Sequence, residues 1–537
     1  MNTYIKRHWQ LLLFTLVLLM AWTFGFVDTS HAAASGSIAL GPIGAVSFNN
    51  IPANIRVPLF YAEVDNSQAG YFSQELRTLL IGQMLSTGTA TADEPVLVSS
   101  TDQAKTLFGI GSMLARMHEV ARLNNPVGEI WCIPVADPDA GVQADGTLTF
   151  TGPSTAAGTL NIYIGADRVQ VGVASGDTAT AIATAVAAAI NADTTLPVTA
   201  AAALGVVTLT ARHKGLLGND IKVQLNYRGL AGGESTPAGV ACAIVALADG
   251  AGTPDLDDAL SAMGDEEYDF IIQPYSDSTS LDAFKTLMND SSGRWAYNRQ
   301  IYGHVYTAMR GTFSALQTAG ALRNDQHMTI AGLEANVPNT SWEYAAAYGS
   351  RNAVFIAADP ARPTQTGELV GILPPPPSSR FLLTERETLL NNGIATSFTS
   401  GGAVRIERAI TTYQENTFGQ SDPSYLDSET LHQLANIIRR LRYRITQKYP
   451  RHKLADDGTR YGAGQAIVTP KVIRGELLAE YAQLELAGQV ENSAAFAANL
   501  IVERDADNPN RLNVLLPPDL VNQLRVFAVL AQFRLQY

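Results

Sequence analysis

A chain of 537 residues is too long for one core and points to about three or four domains. With 46% apolar and 16% charged residues it is a foldable globular protein rather than a disordered one. Its net charge of −13 argues against nucleic acid as the main partner. Its two cysteines, Cys132 and Cys242, cannot build a disulfide framework and sit in apolar, strand-like runs where buried thiols are expected.

Residues 1–45 differ from the rest. Lys6 and Arg7 precede an apolar run over 11–27, and His31-Ala32-Ala33-Ala34 follows, which is the layout of a secretory signal peptide. The same stretch also reads as a misassigned leader, because Val46 directly precedes SFNNIP and an internal GTG start is written as valine. Residues 46–140 read as an N-terminal arm and the first part of an α/β host domain. The arm, over 47–65, is extended and punctuated by Pro52 and Pro58. A strand over 79–84, a helix over 102–124 and a strand over 130–135 follow.

From 141 to 250 the composition turns to Ala, Thr, Gly and Val, with few aromatics. Short strands surround an alanine-rich helix over 178–191, so this span reads as an inserted small α+β domain. The host domain continues over 251–370. Strands over 269–273, 300–305, 328–331 and 353–357 alternate with helices over 280–288, 312–322 and 341–350. The run Pro374 to Pro377 is stiff and leads into a last domain over 371–537. There, a helix over 385–391 and strands over 393–398 and 404–413 precede a long helix over 427–449, capped by Asp427 or Ser428. A helix over 476–486 and segments over 496–504 and 512–516 follow. The expected class is a multidomain α/β (α+β) protein with mixed sheets flanked by helices.

The last stretch, 524–537, reads as a strand with no return partner. Phe533, Leu535 and Tyr537 alternate with Gln532, Arg534 and Gln536. Such a strand is a liability unless it folds back into its own domain or joins the sheet of another copy. The segment 437–453 is strongly basic within an acidic chain. Its Arg439, Arg440, Arg442, Arg444 and Lys448 either snorkel over their own domain or form a docking face for an acidic partner.

Motifs for chemistry are missing. No phosphate loop, dinucleotide fingerprint, HExxH or nucleophile elbow is present, and Gly109 and Gly111 fall within a helical pattern. The clusters Asp255, Asp257, Asp258 and Asp265, Glu266, Glu267 read as solvated helix ends, and Asp505, Asp507, Asn508 lack the glycine and closing Glu of a calcium loop. No catalytic, cofactor-binding or metal-binding residue is assigned, and an enzyme is not expected.

Ser47-Phe48-Asn49-Asn50-Ile51-Pro52, Arg56-Val57-Pro58, Glu63 and Asp65-Asn66-Ser67 resemble the start of Mu-like bacteriophage tail sheath proteins. Glu385-Arg386, Leu389 to Ile394, Val404 to Arg408 and Ile410 to Tyr413 resemble the C-terminal domain shared by contractile-tail sheaths. The resemblance spans about residues 46–537. It implies a structural subunit of the virion tail, or of a tail-like particle, assembled in the host cytoplasm. It implies a helical homo-oligomer around an inner tail tube protein, ending at baseplate and tail terminator proteins, with no cofactor, nucleic acid or stable membrane association. It further implies terminal arms that join neighbouring subunits. Here that role falls on Phe48, Ile51, Val57 and Leu59, and on Arg525, Phe527, Val529, Phe533, Leu535 and Tyr537. A helix facing the inner tube is also implied, for which Arg439, Arg440, Arg442, Arg444 and Lys448 are the candidates. An exported surface or adhesive protein, using the leader, is the alternative; an α/β enzyme is a third reading.

Overall fold

The computed structural model describes residues 76–535. Eight strands form the main sheet: β1 (Thr78–Gln83), β2 (Val96–Leu97), β3 (Ile130–Val135), β4 (Phe270–Ile272), β5 (His304–Gly311), β6 (Met328–Glu334), β7 (Ile394–Ser400) and β8 (Ala403–Arg408). Their order is β8-β7-β6-β5-β4-β1-β3-β2. The six central strands are parallel, and β2 and β8 close the two ends antiparallel. Parallel strands need cover on both faces, and β1 and β6 are buried along their whole length. Alternation splits their side chains between two cores. Leu80 packs with residues of helices Met113–Asn124 and Ser341–Ala358, whereas Leu79 and Ile81 pack with those of Ser278–Met288, Phe313–Ala321 and Leu383–Leu390.

Three expectations are corrected here. The helix over 102–124 is two helices, Thr101–Phe108 and Met113–Asn124. Gly109 and Gly111 break it by taking φ of +89° and +81°, and a side chain on Gly109 would meet Thr87 Oγ1 at 2.7 Å. The strand over 353–357 is instead the end of helix Ser341–Ala358. No glycine or proline interrupts residues 350–357, Asn352 donates to the Tyr348 carbonyl at 2.8 Å, and Ala353 and Ile356 extend the buried stripe. The strand expected over 300–305 starts only at His304 and runs to Gly311.

Residues 142–251 leave and rejoin this body at adjacent points, where Val142 and Ala251 exchange backbone hydrogen bonds of 2.9 and 3.2 Å. Between them lie a four-stranded antiparallel sheet (Ala241–Ala248, Gln143–Thr151, Val206–Lys214, Val198–Ala203), a three-stranded one (Asp167–Val173, Gly158–Ile164, Val223–Leu225) and helix Ala179–Ala192. Their apolar residues continue the host core without a break. Polar clusters pin the two parts together. Arg116 meets Glu343 at 2.5 Å and Asp167 at 2.6 Å, His213 meets Asp137 at 2.7 Å, and Arg310 pairs with Asp220, which also accepts the Ser341 N–H. Cys132 is buried, but Cys242 lies half-exposed on the outer strand Ala241–Ala248, so the expectation of two buried thiols is corrected.

Helix Ser428–Lys448, 21 residues and about 31 Å long, joins the main sheet to the last part of the chain. Its first half stacks His432 on Phe270, with ring centroids 4.8 Å apart. Its second half places Ile437, Leu441 and Ile445 in a third core with Ile473, Leu477, Tyr481 and Phe496. That core is completed by helices Pro470–Leu486 and Ser493–Asn499 and by the hairpin Ile501–Arg504/Leu512–Leu515. The expected segment over 496–504 is therefore a helix end followed by a strand.

Candidate functional site

Among the described residues the C-terminal segment forms no strand, which corrects the strand expected over 524–537 as far as Leu535. Residues 526–535 make no hydrogen bond to the described residues, so no ladder exists to define one. Their apolar side chains stay in solvent: Phe527 is 82% exposed, Val529 70%, Phe533 82% and Leu535 91%. Contiguous apolar exposure on this scale is uncommon on the surface of a monomer. Phe48, Ile51, Val57, Leu59 and Tyr537 lie outside the described residues.

Arg525 behaves differently from the residues after it. Its guanidinium is folded onto its own body, donating from Nη2 to Asp427 Oδ1 and Glu429 Oε1, both at 3.1 Å. Glu429 is fully buried and also accepts the Thr364 N–H and hydroxyl at 3.0 Å. Asp427 takes Arg408 through two bonds of 2.8 and 2.9 Å. Two arginines and two carboxylates thus neutralise one another in a partly buried cluster, with Glu429 at its fully buried end. Asp427 makes no side-chain cap bond, because its carboxylate is engaged here instead of at the helix N-terminus. Gln523 Nε2 donates to the Ala361 carbonyl at 3.1 Å, and Gln365 reaches the Leu524 carbonyl at 3.4 Å. The placement of Arg525 on an arm surface is thereby corrected: it is a root contact within the subunit.

The hairpin Ile501–Arg504/Leu512–Leu515 is two-stranded among the described residues. Ile501, Val514 and Leu515 are exposed. A lone hairpin is marginal in water and has two unpaired edges.

The basic helix is mostly spoken for within its own chain. Arg439 is only 5% exposed and meets Asp269 at 2.6 Å, Glu267 at 3.1 Å and the Tyr302 carbonyl at 3.2 Å. It cannot face a partner, which corrects its assignment to an outer surface. Burial outweighs Arg439 and holds the Asp269 carboxyl above its ordinary value. Arg440 pairs with Glu480, Arg444 and Lys448 with Glu476, and Arg442 with Glu267. The snorkelling reading therefore describes most of this charge, with Arg442 and Lys448 the most exposed of the five.

Sequence reasoning missed the layer between this helix and the sheet. Tyr306 and His432 share a 3.1 Å hydrogen bond, and His304 meets Thr329 Oγ1 at 2.8 Å. Burial pushes His432 down to about 3 and His304 well below its ordinary value. Among the described residues no group of three or more His, Cys, Asp or Glu is placed to hold a metal. The carboxylate of Asp505 accepts the Asp507 and Asn508 N–H groups at 3.0 and 2.8 Å, as a turn does.

Two family models match the chain: the phage tail sheath protein central domain over residues 249–412 and the phage tail sheath C-terminal domain over residues 420–534. The Mu-like prophage FluMu tail sheath protein of Haemophilus influenzae is 42% identical over 492 residues, covering 91% of this chain and 99% of that protein. Crystal structures of sheath tail proteins from Desulfitobacterium hafniense and Listeria innocua are each 12% identical, with TM-scores of 0.47 and 0.45. They cover 87% and 85% of this chain, and 97% and 94% of their own.

Proposed function

This chain belongs to the phage tail sheath family, and from that premise we propose that its copies stack into a helical tube around an inner tail tube. The tube contracts and drives the inner tube through a target cell envelope, meeting a baseplate and a tail terminator at its ends. The observation that carries this reading is the C-terminal segment: ten exposed residues, eight of them apolar, leave a firmly held root at Arg525. The hairpin Ile501–Arg504/Leu512–Leu515 of a neighbouring copy offers the unpaired edge that such a segment completes. Backbone bonds add about 0.5 to 1.5 kcal/mol each, and burying Phe527, Val529, Phe533 or Leu535 adds roughly 1.5 to 3 kcal/mol apiece. Residues 46–60 supply the second arm. Linkages of this kind hold while subunit bodies rotate past one another, a rigid-body repacking between two discrete arrangements. A head-to-tail contact that does not close produces a helical filament. Arg442 and Lys448, the most exposed of the five candidate cations though each is paired within the chain, meet the inner tube.

Ending the chain after Arg525 tests the reading, because that cut keeps buried Glu429 and half-buried Asp427 paired. Electron microscopy is expected to show tubes from the full chain and folded, unassembled subunits from the shortened one. Tubes from both would refute the arm.

A further inference from the structure

We infer that Arg525 is a positioning residue that sets the working length of the C-terminal segment, so that a pull on residues 526–535 reaches the N-terminus of helix Ser428–Lys448. This inference rests on the arm reading above and asks where such a linkage is tied off inside its own subunit.

The contacts change sharply along the chain. Val521 donates its N–H to the Gln489 carbonyl at 3.3 Å, and Leu520 bridges Val490, so the third core holds the chain that far. Residues 523–525 then cross to a different part of the molecule. Gln523 reaches Ala361, Leu524 is reached by Gln365, and Arg525 enters the carboxylate pair of Asp427 and Glu429. Past Arg525 the hydrogen bonds to described residues stop and the side chains turn to solvent. The tie-off is therefore a charge-assisted one, the strongest kind available to a side chain.

Its acceptors are firmly placed. Glu429 lies in the first turn of helix Ser428–Lys448, with two further bonds from Thr364, and Asp427 is held by Arg408 at the end of β8. Tension on the segment thus passes to the helix that joins the main sheet to the third core, and to an end strand of the sheet. Without the clamp the nearest firm point is Val521. Residues 522–525 then become slack, about 13 Å at roughly 3.3 Å per residue. That length is large beside the 4.7–4.9 Å spacing of paired strands. A linkage with that much play lets one subunit move before its neighbour feels it.

The test is a clamp-free full chain carrying Gln523→Ala, Arg525→Ala and Glu429→Gln, the last so that no buried carboxylate loses its cation. Arg525→Lys serves as the conservative partner. Spin labels at Phe527→Cys and Leu486→Cys, with Cys242→Ser, report the root directly in the isolated subunit. The parent is expected to give a narrow distance distribution and the clamp-free chain one at least twofold broader. The thermal midpoint of the body should move by no more than about 2 °C, and Arg525→Lys should restore part of the narrowing. In assembled tubes under a mild denaturant trigger, the parent is expected to contract all along its length. Clamp-free tubes are expected to show extended and contracted stretches side by side. An unchanged distance distribution, or clamp-free tubes that contract as the parent does, overturns the inference. If the parent itself forms no tubes, the sheath reading fails while the label distances still decide the clamp.

Discussion

Replacing Arg439 by Met separates a structural arginine from an interface one. Arg439 and Asp269 have side chains only 5% and 2% exposed, and their contact is 2.6 Å. Methionine keeps most of the volume and removes the charge. Asp269 then retains the Arg77 N–H at 3.1 Å as its remaining donor, which leaves a buried carboxylate without a cation. Breaking a buried pair from one side costs about 3–5 kcal/mol, and that is the expected loss in urea unfolding at pH 7. Tryptophan fluorescence suits the measurement, because Trp295 packs edge-on against Tyr302, which Arg439 covers. Burial already holds the Asp269 carboxyl above its ordinary value, and removing the cation pushes it further in the same direction. The loss should shrink as pH falls, by up to about 1.4 kcal/mol per unit. Adding Asp269→Asn removes the orphaned charge and should recover most of the deficit. A single-variant loss below about 1 kcal/mol, or a double variant no more stable than the single one, would sink this account.

The buried histidines predict an acid limb. His432 and His304 have folded pKa values below the unfolded value of about 6.5. The unfolded chain therefore binds more protons, and their contribution is complete above that value and lost as pH falls toward about 3 for His432. His432→Gln keeps a partner for Tyr306 but cannot titrate, so the thermal midpoint should fall less steeply between pH 6.5 and 4; an unchanged slope refutes it. Gly320→Ala should abolish soluble expression or cost at least about 3 kcal/mol, because the new methyl would overlap the Asn392 carbonyl and crowd Ile394 Cγ1 at 2.7 Å. Gly475→Ala, in helix Pro470–Leu486 with open space around it, should instead stabilise by about 0.5–1 kcal/mol in the same denaturation assay. A maleimide should label half-exposed Cys242 in the native protein and reach Cys132 only after unfolding, read by mass spectrometry; burial pushes Cys242 up to about 11, so even its labelling will be slow at neutral pH.

Elements were legible where pattern and context agreed. The short, mostly apolar runs of β1 and β6 fit strands covered on both faces, and the alternation from β4 through β6 carried the parallel sheet with it. The terminal segment announced its surplus of apolar side chains by composition alone. Where sequence failed at 353–357, Arg439 and Asp427, the missing quantity was a partner distant along the chain, whereas the break at Gly109 and Gly111 is local. The run at 353–357 is apolar in either conformation, and only the sheet beneath it selects helix. Arg439 resembles its exposed neighbours until Asp269, 170 positions away, removes it from water. Asp427 and Glu429 look like helix-start residues, and nothing local reveals that Arg525 occupies them.

By itself, then, the sequence determined the alternation of strands and helices, the surplus apolar terminus and the absence of catalytic motifs, because these follow from local periodicity and residue type. The tertiary structure alone decided which charges are neutralised inside the subunit and which remain for a partner. Coulombic pairing depends on distance in space and on exclusion of water, and neither is written along the chain.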